Sequence, residues 1–412
     1  MNTLAKSNTL HFARAELAAQ LANDLQGANP FSDAPNGLFL AAPRREGKSV
    51  FLQEDLRPAL QSAGVIVIYV DLWVNKEKDP ALVIAQAIGA ELLCHLGAVA
   101  KVAHAVGLES VTIAGVLKMD TTKIGQPDGA TLKDALALLI AKAGKPVALL
   151  IDEAQHALTS KAGENTMAAL KSARDTINNS TGRRLMLVMT GSDRDKLMRL
   201  VNSTSAAFYG SHIHKLPPLG SDYVAHVIKQ LESNYANLHP INATLLEDAF
   251  DLLGRRPQFF KNAVSYGLNP LESAGMRLED AVLEFARQQR RSDQAQMEAD
   301  FLGLRDIERL VLWRILVTGD KFRPYDNDAL EFYSKSSGLP VTAQQVQAAL
   351  VSLRNREPCI IWKSERGDYA LDNSQMQDWY RMLNNTGRWP PVTDGDEAEQ
   401  SVAASIETDR PS

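Results

Sequence analysis

Residues 37–49 have the sequence GLFLAAPRREGKS, a short apolar run that leads into a charged loop. Because apolar runs of this length between turn-forming residues are typical of buried strands, we expect residues 37–42 to form a β-strand. The next segment places four apolar residues on one face of a helix, namely Phe51, Leu52, Leu56 and Leu60. The stretch therefore predicts a strand, a loop and a helix in immediate succession.

The loop contains the residue types that bind a nucleoside triphosphate. Such a loop turns backbone N–H groups toward phosphate, reaches the outer phosphates with a lysine and offers a hydroxyl to Mg²⁺. Lys48 and Ser49 supply the ammonium and the hydroxyl, and the helix behind them directs the positive end of its dipole at the phosphates. The residues predicted to contact the nucleotide are Pro43, Arg44, Arg45, Glu46, Gly47, Lys48, Ser49 and Val50.

One position of the loop departs from the usual phosphate-binding pattern. Ala42 stands where the first glycine is expected, so the loop has to enter its turn without the conformational freedom of glycine. The tripeptide Gly-Lys-Ser or Gly-Lys-Thr also arises by chance in roughly one chain in five of this size, and a charged surface loop is the alternative interpretation. The flanking strand and amphipathic helix favour the phosphate-binding interpretation.

A second apolar run, residues 146–152, ends in the adjacent carboxylates Asp152 and Glu153. We expect Asp152 to hold Mg²⁺ together with Ser49, while Glu153 orients or activates the attacking water, because phosphoryl transfer depends on such positioning and charge neutralisation. The alternative is a solvated helix start, since carboxylates are favourable in a first helical turn.

Two further sets of residues are candidates for sensing the phosphates. Thr190 lies at the end of an apolar run at residues 184–191 and Ser192 directly follows it, so their side chains are expected at the same edge of the sheet. Arg255 and Arg256 are predicted to contribute guanidinium groups from a helical region. An ordinary turn and ordinary surface arginines are the respective alternatives.

The remaining pattern alternates strands and helices along the first 220 residues. Apolar runs at residues 65–73 and 212–219 complete a predicted five-stranded sheet, and the uniformly apolar run at 65–73 favours a position in the middle of a parallel sheet. Strands that alternate with helices of this length predict an α/β fold with helices on both faces. A helix over His11–Leu25 precedes the sheet, and residues 98–130 form an insertion whose shape the pattern does not specify.

These motifs together resemble the AAA+ superfamily, within it the archaeal-type ATPases with a GPRRxGK[ST] loop, over roughly residues 30–265. The segments that carry the resemblance are APRREGKS (42–49), YVDLW (69–73), LLIDEAQHAL (149–158), TGSDRDKL (190–197) and LLGRRPQFF (252–260). The resemblance implies ATP and Mg²⁺ as ligands, and a site between core and lid that another subunit completes. This sequence departs from AAA+ proteins because it has no arginine in the segment before the fifth strand. Arg194 and Arg199 are the nearest substitutes.

The resemblance and the pattern together define four regions. They are an α/β core at residues 1–220, a helical lid at 221–290, a C-terminal domain at 300–391 and a disordered acidic tail at 392–412. The third region resembles a winged helix-turn-helix, with three helices and a hairpin. If it binds duplex DNA, the residues expected to contact it are Gln344, Gln345, Gln347 and Arg354 on the third helix and Lys363 and Arg366 on the wing. The third helix is sparsely basic, so a partner protein is the alternative.

Composition narrows the classes of function. The formal charge of −5 argues against attraction of the whole molecule to nucleic acid, although the segment from Asp394 onward carries all of that charge. Aromatic residues are too sparse for a stacking platform of the kind that binds single strands. No apolar run is long enough to span a membrane and no signal peptide is evident, so we expect a cytoplasmic protein. Cys94 and Cys359 lack the neighbours of a metal or redox site.

Three hypotheses about function follow from the sequence. The first is an oligomeric ATPase that couples nucleotide state to assembly and to DNA or protein binding. The second is an adaptor that binds nucleotide without hydrolysing it, which Ala42 and the missing arginine suggest. The third is a DNA-binding regulator whose ATPase domain only dimerises it.

Overall fold

The computed structural model describes most of the chain between residues 11 and 391. The residues in that range that it does not describe are 75–77, 97–109, 114–116, 121–123, 126–128, 183, 193–196, 203–205, 236–237, 239, 274, 357–358, 364–368 and 373–374. The chain divides into two compact units, Met1–Glu284 and Phe285–Ser412. The predicted division into core, lid and C-terminal domain stays a prediction.

The first unit contains seven of the strands and most of the helices. Its strands are β1 Leu38–Ala41, β2 Ile66–Asp71, β3 Ser110–Ile113, β4 Leu117–Asp120, β5 Val147–Asp152, β6 Leu185–Gly191 and β7 Ile213–Lys215. Its main helices are α1 Ala15–Gln26, α2 from Lys48–Val50 through π-helical Phe51–Leu56 to Arg57–Ser62, α3 Pro80–His95, α4 Leu132–Ala143, α5 Lys161–Thr181, α6 Ser221–Asn234, α7 Ala243–Leu252, α8 Pro257–Leu268 and the beginning of α9 Leu278–Leu302.

Five strands form one parallel sheet in the order β2-β5-β6-β1-β7. The predicted central position of residues 65–73 is wrong, because β2 lies at an edge of this sheet. Its apolar character has another cause: the end of α2 and helix α3 pack against it. Val67, Ile68 and Val70 are buried and the other three residues are half-buried, although in the described part of the chain one edge of β2 has no neighbouring strand. The central position belongs to β6, and β5 beside it is buried along its whole length.

Alternation along the strands divides the buried residues between two faces of the sheet. Leu38 and Leu40 of β1 and Ala148 and Leu150 of β5 pack in one cluster with α1 and α2. The intervening residues, such as Leu149, are also fully buried. Helices therefore cover both faces, as expected for parallel strands joined by helical crossovers.

Helices α6, α7 and α8 form the predicted lid region, and aromatic rings hold them together. Tyr223 of α6, Phe250 of α7 and Phe260 of α8 lie with ring centroids 5.0–6.2 Å apart. Offset aromatic contacts of this kind bury large apolar areas and fix the relative positions of short helices. Pro257 is the first residue of α8, a position where proline is tolerated because its missing N–H would have no partner within the helix. The turn before it follows the end of α7 at Leu252.

The second unit contains the predicted order of three helices followed by a hairpin. Its elements after α9 are α10 Asp306–Thr318, α11 Asn327–Ser337, α12 Ala343–Asn355, β8 Ile361–Lys363, β9 Tyr369–Leu371 and α13 Gln375–Asn385. Its core contains Val311, Tyr333, Leu350, Ile361 and Trp379, all nearly or fully buried. This order of elements agrees with the predicted one, and both the winged helix-turn-helix assignment and a role in binding DNA stay predictions.

Sequence patterns missed two features of the second unit. Residues 290–300 were expected to separate two domains, but they continue helix α9, because Gln, Arg, Ala, Met and Glu are good helix formers and no Gly or Pro interrupts them. Helix α13 was not predicted at all. Its apolar face, including Trp379 and Leu383, packs into the core of the unit.

Several sequence expectations fall outside the described residues. The tail at 392–412, Arg194 and Arg366 belong to this group, as does most of the insertion at 98–130. Within the insertion, β3 and β4 form an antiparallel pair. No helix in the described part of the chain is both long and apolar enough to cross a membrane.

The packing of the central sheet predicts a large effect of one core truncation. Leu149→Ala removes a side chain that is fully buried in β5, so we expect a loss of about 2–5 kcal/mol in the free energy of unfolding. The matched control is Leu271→Ala, because Leu271 is 92% exposed and its truncation is expected to change stability by less than about 0.5 kcal/mol. Scanning calorimetry measures both, and equal effects of the two substitutions would contradict this account of the core.

Candidate functional site

The carboxyl ends of β1, β5 and β6 bring together the candidate residues of three separate segments. Lys48 follows the loop after β1, and its Nζ lies 3.0 Å from Oδ1 of Asp152 and 2.5 Å from Oε1 of Glu153 at the end of β5. All three side chains are largely buried. Parallel neighbouring strands place their carboxyl ends at one edge, so this convergence is a direct result of the sheet order.

Asp152 is the most heavily bonded residue of the site. Ser49 Oγ donates to its Oδ2 at 2.5 Å, Thr190 Oγ1 to its Oδ1 at 2.5 Å and Tyr69 OH to its Oδ2 at 3.1 Å. Carboxylate and hydroxyl oxygens are the ligands that Mg²⁺ prefers, so Asp152 and Ser49 fit the predicted metal position. Tyr69, on β2, is a contact that the sequence pattern did not identify.

Glu153 is held beside Asp152 in an uncommon backbone conformation. Its φ of 54° is left-handed, a region that costs a residue other than glycine about 1–2 kcal/mol. Gln155 Nε2 donates to Oε2 of Glu153 at 2.5 Å, and Ser192 donates to the same oxygen from its Oγ at 2.9 Å and its N–H at 3.3 Å. The turn therefore aims the carboxylate back toward Lys48 instead of away into the following helical turn.

The phosphate-binding loop takes its left-handed conformations at Arg45, with a φ of 69°, and Gly47, with a φ of 87°. Ala42 instead extends the pairing of β1, because its N–H donates to the carbonyl oxygen of Gly191 at 3.1 Å. The backbone at Ala42 has no positive φ and therefore does not require glycine; the effect of Ala42 on nucleotide affinity stays a prediction. A side chain at Gly47 would make only ordinary contacts, so conformation, not space, favours glycine there.

The segment before α1 is tied to the loop by Arg14, which the sequence analysis did not single out. Its guanidinium donates to the carbonyl oxygen of Pro217 at 2.8 Å and to that of Glu46 at 3.4 Å. Its backbone N–H donates to Asp55 of α2 at 3.1 Å. Arg14 therefore links the lead-in segment, the phosphate-binding loop and the segment that enters the lid.

A cleft of about 560 Å³ opens over this edge of the sheet. The predicted residues that line it are Pro43, Arg44, Arg45, Gly47, Lys48, Ser49, Val50, Asp152 and Glu153. Four other residues line it, Asp71, Trp73, Pro257 and Gln258. They lie in the segments 69–73 and 252–260 that carry the resemblance, but they were not among the predicted site residues. Gln258 lies in the first turn of α8, so the lid region contributes a wall of the cleft.

Other predicted residues lie around the cleft instead of lining it. Thr190 and Ser192 lie beneath its floor, where they donate to Asp152 and Glu153. Arg255 is exposed and bonds to Asp251 at 2.7 Å. Arg256 donates to the carbonyl oxygen of Leu253 and stacks on the ring of Phe259 at 4.2 Å.

Opposing electrostatic effects act on the buried charges. Burial lowers the pKa of Lys48, but attraction to Asp152 and Glu153 outweighs burial, and the pKa is raised overall. Burial raises the pKa values of Asp152 and Glu153. Attraction to Lys48, together with the hydrogen bonds from Ser49 and Thr190 to Asp152 and from Gln155 to Glu153, outweighs burial, and both pKa values lie below their ordinary range. The pKa of Asp71 is raised, because of burial and the neighbouring carboxylates. Lys48 therefore keeps both members of the pair ionised.

This balance predicts the effect of removing the lysine in the absence of nucleotide. Lys48→Met leaves two buried carboxylates without their cation, so we expect a loss of about 3–5 kcal/mol in stability. Without Lys48 their pKa values rise above the unfolded values, so the folded state then binds protons more tightly. The loss should accordingly shrink as the pH falls from about 8 to about 5.

The control substitution is Lys335→Met. Lys335 forms an exposed pair with Glu331 at 2.6 Å, and such pairs contribute about 0–1 kcal/mol. Thermal unfolding across this pH range measures both variants. A Lys48→Met penalty that stayed constant with pH would contradict the proposed cause.

Comparisons with known proteins bear on the fold. No family model and no curated protein matches this chain. The ORC2 protein of Aeropyrum pernix in its ADP form is similar, with a TM-score of 0.50, 14% identity and coverage of 90% of this chain and 93% of that one. A Walker-type ATPase of Pyrococcus abyssi has a TM-score of 0.47 and 17% identity, covering 89% of this chain and 95% of its own. At this identity the ORC2 similarity concerns the fold alone, and together with the sheet it gives this chain the AAA+ type of P-loop NTPase fold, with a helical C-terminal region.

Proposed function

We propose that this chain is a nucleotide-dependent switch that binds ATP with Mg²⁺ in the cleft over β1 and β5 and hydrolyses it to ADP and phosphate. The observation that carries the proposal is the contact of Lys48 with both Asp152 and Glu153, at 3.0 and 2.5 Å. An ammonium, a hydroxyl and two carboxylates meet there from segments more than 100 residues apart. That set matches what phosphoryl transfer to water requires.

The proposed roles follow from the chemistry of each group. Lys48 neutralises charge on the outer phosphates, and the loop's N–H groups contact phosphate oxygens. Ser49 and Asp152 would hold Mg²⁺, which neutralises developing charge on the phosphate oxygens. Glu153 accepts a hydrogen bond from the attacking water and orients it, while Ser192 and Gln155 fix the position of that carboxylate.

Binding has to replace contacts that exist without nucleotide. Lys48 and Ser49 both bond to Asp152, so a bound metal and triphosphate compete with those bonds. Because Thr190 also bonds to Asp152, a change at Asp152 reaches β6 directly. The exchange of these bonds is the proposed link between nucleotide state and the shape of the site.

The lid region would respond to the same nucleotide. Pro257 and Gln258 line the cleft, and Arg256 precedes them at the start of α8. Closure of the lid on a bound triphosphate would favour assembly of copies of this chain, with ATP and ADP differing in their affinity for the closed state. A homo-oligomer is part of the proposal.

Hydrolysis is tested by Glu153→Gln and Lys48→Ala. We expect Glu153→Gln to retain ATP binding and to lose roughly 10²- to 10⁴-fold in kcat, because the amide no longer accepts the proton of water. Lys48→Ala should weaken ATP binding itself. Phosphate release and fluorescent-nucleotide titration, each with and without duplex DNA, measure the two effects.

The control for this experiment is Glu272→Gln, which removes a carboxylate at an exposed position outside the cleft. Its turnover should equal that of the unaltered protein. If the unaltered protein released no more phosphate than Glu153→Gln but still bound ATP, a non-hydrolysing adaptor would replace the ATPase proposal.

The second unit is the proposed partner-binding part, with duplex DNA as the preferred partner. Gln344 and Arg354 on α12 are exposed. Arg354 donates from Nε to Oδ1 of Asn355 at 3.5 Å, and Nζ of Lys363 on β8 lies 5.6 Å from the ring centroid of Tyr369. Two other candidate residues are engaged within the unit. Gln345 accepts from the N–H of Thr342 at 2.8 Å, and Gln347 accepts from the hydroxyl of Tyr325.

Salt dependence tests the choice of partner. Each lost phosphate contact should reduce the slope of log K against log salt by about 1, so Arg354→Ala and Lys363→Ala are each expected to weaken duplex binding and flatten its salt response. Lys335→Ala is the control, because Lys335 is exposed and paired with Glu331 at 2.6 Å. Filter binding of the full chain at several salt concentrations measures this. Unchanged slopes in both variants, or no retention of DNA, would favour a protein partner.

A further inference from the structure

We propose that Arg44 is a catalytic residue of this site: its guanidinium contacts the transferring phosphoryl group and rests on the ring of Trp73 when no triphosphate is bound. The inference depends on the proposed ATPase function. It is carried by the arrangement of Arg44, Trp73 and the acidic end of the cleft.

The two adjacent arginines of the loop point to different walls of the cleft. The guanidinium of Arg44 lies 4.4 Å from the ring centroid of Trp73, which follows β2. The guanidinium of Arg45 lies 4.7 Å from the ring of Phe259 on α8, in the lid region. The left-handed backbone at Arg45 separates the two directions. Arg44 is therefore the arginine on the β2 side of the loop, and Arg45 is the one on the lid side.

The β2 side is where the candidate hydrolytic groups lie. The backbone N–H of Trp73 donates to Asp71 Oδ1 at 2.8 Å, and the ring centroid of Trp73 lies 4.6 Å from that of His156. His156 follows Glu153 within the same helical turn. Arg44, Trp73, Asp71 and Glu153 line one cleft. The resting position of the guanidinium is therefore close to the wall that carries the proposed water-orienting carboxylate.

The site has more carboxylates than Lys48 can neutralise, so a second cation, Arg44, has a role in balancing charge on the phosphate oxygens. Lys48 already shares its single ammonium between Asp152 and Glu153, and Asp71 adds another carboxylate to the lining. The segment before β7, residues 205–212, contains no arginine. A side chain in the loop itself would supply a planar set of donors for phosphate oxygens without a second subunit.

Arg44 is exposed and Trp73 is half-buried, and a stacking contact at such a position is weak enough to be exchanged for a charged phosphate. In the proposed step, the oxygen of water forms a bond to the γ-phosphorus while the bond from that phosphorus to the β–γ bridging oxygen breaks. ADP leaves with the bonding electron pair, and the proton of water passes through Glu153 to solvent. Arg44 remains protonated throughout and only donates hydrogen bonds to the oxygens that gain charge.

The first measurement separates catalysis from binding. Arg44→Ala is expected to lower kcat by about 10- to 10³-fold, an effect no larger than the lower end of the effects of arginines that act on phosphoryl transfer. The Kd for ATP should change by less than about threefold. Arg44→Lys should recover only part of kcat, because a lysine cannot present a planar fork of donors. Arg57→Ala, a replacement on α2 outside the cleft, is the control and should retain full turnover.

The second measurement does not require turnover. Trp73 is the only tryptophan before residue 313, so subtracting the emission of Trp73→Phe isolates its signal in the full chain. A non-hydrolysable ATP analogue with Mg²⁺ should change this emission and ADP should change it less, because the guanidinium leaves the ring only for a third phosphate. In Arg44→Ala the difference between the two nucleotides should disappear.

The outcomes separate this inference from the proposal on which it rests. If the unaltered protein hydrolyses ATP and Arg44→Ala has a kcat within twofold of its value, the role of Arg44 is overturned and the ATPase proposal stands. An emission difference that persists in Arg44→Ala also overturns it. If turnover falls steeply on dilution and Arg44→Ala leaves it unchanged, the role of Arg44 is likewise overturned, and the cation that contacts the phosphoryl group comes from a second copy of the chain. No turnover in the unaltered protein contradicts the ATPase proposal itself.

Discussion

The ammonium of Lys48, placed between the carboxylates of Asp152 and Glu153, is the interaction on which the rest of the site depends. Two adjacent carboxylates at the buried end of an interior strand would be costly without a cation, because removal of an ion from water costs several kcal/mol. Lys48 offsets that cost and keeps both groups ionised. Since Ser49 and Thr190 bond to the same aspartate, the loop after β1 and the end of β6 are both fixed by this charge.

Such a cluster is suited to exchange of partners. Under the proposed function, a metal ion would pair with the carboxylates and a triphosphate with the ammonium, so binding would exchange one set of charged contacts for another. The uncommon backbone conformations at Arg45 and Glu153 lie in this same small region. Conformations of this kind persist only where surrounding contacts determine them. Here the hydrogen bonds from Gln155 and Ser192 to Glu153 provide those contacts.

The order of the strands decided what could be predicted from the residues. Apolar runs located all five parallel strands, yet the position of β2 was wrong, because a strand covered by helices on both faces is apolar whether or not it lies at an edge. Helix α13 was missed because its few apolar residues, such as Trp379, resemble scattered aromatics until their packing partners are known. Ala42 was judged against a loop pattern, although its backbone continues β1.

The sequence by itself determined the succession of strand, loop and helix around residues 37–60 and the identity of the groups Lys48, Ser49, Asp152 and Glu153, because local periodicity and side-chain chemistry are properties of short segments. Only the tertiary structure decided that Tyr69, Trp73 and Gln258 belong to the same region, since their positions depend on how the sheet orders its strands and where α8 begins. It also decided that Arg44 and Arg45, neighbours in sequence, face different walls of one cleft. Contacts between distant segments follow from packing, and no local pattern encodes them.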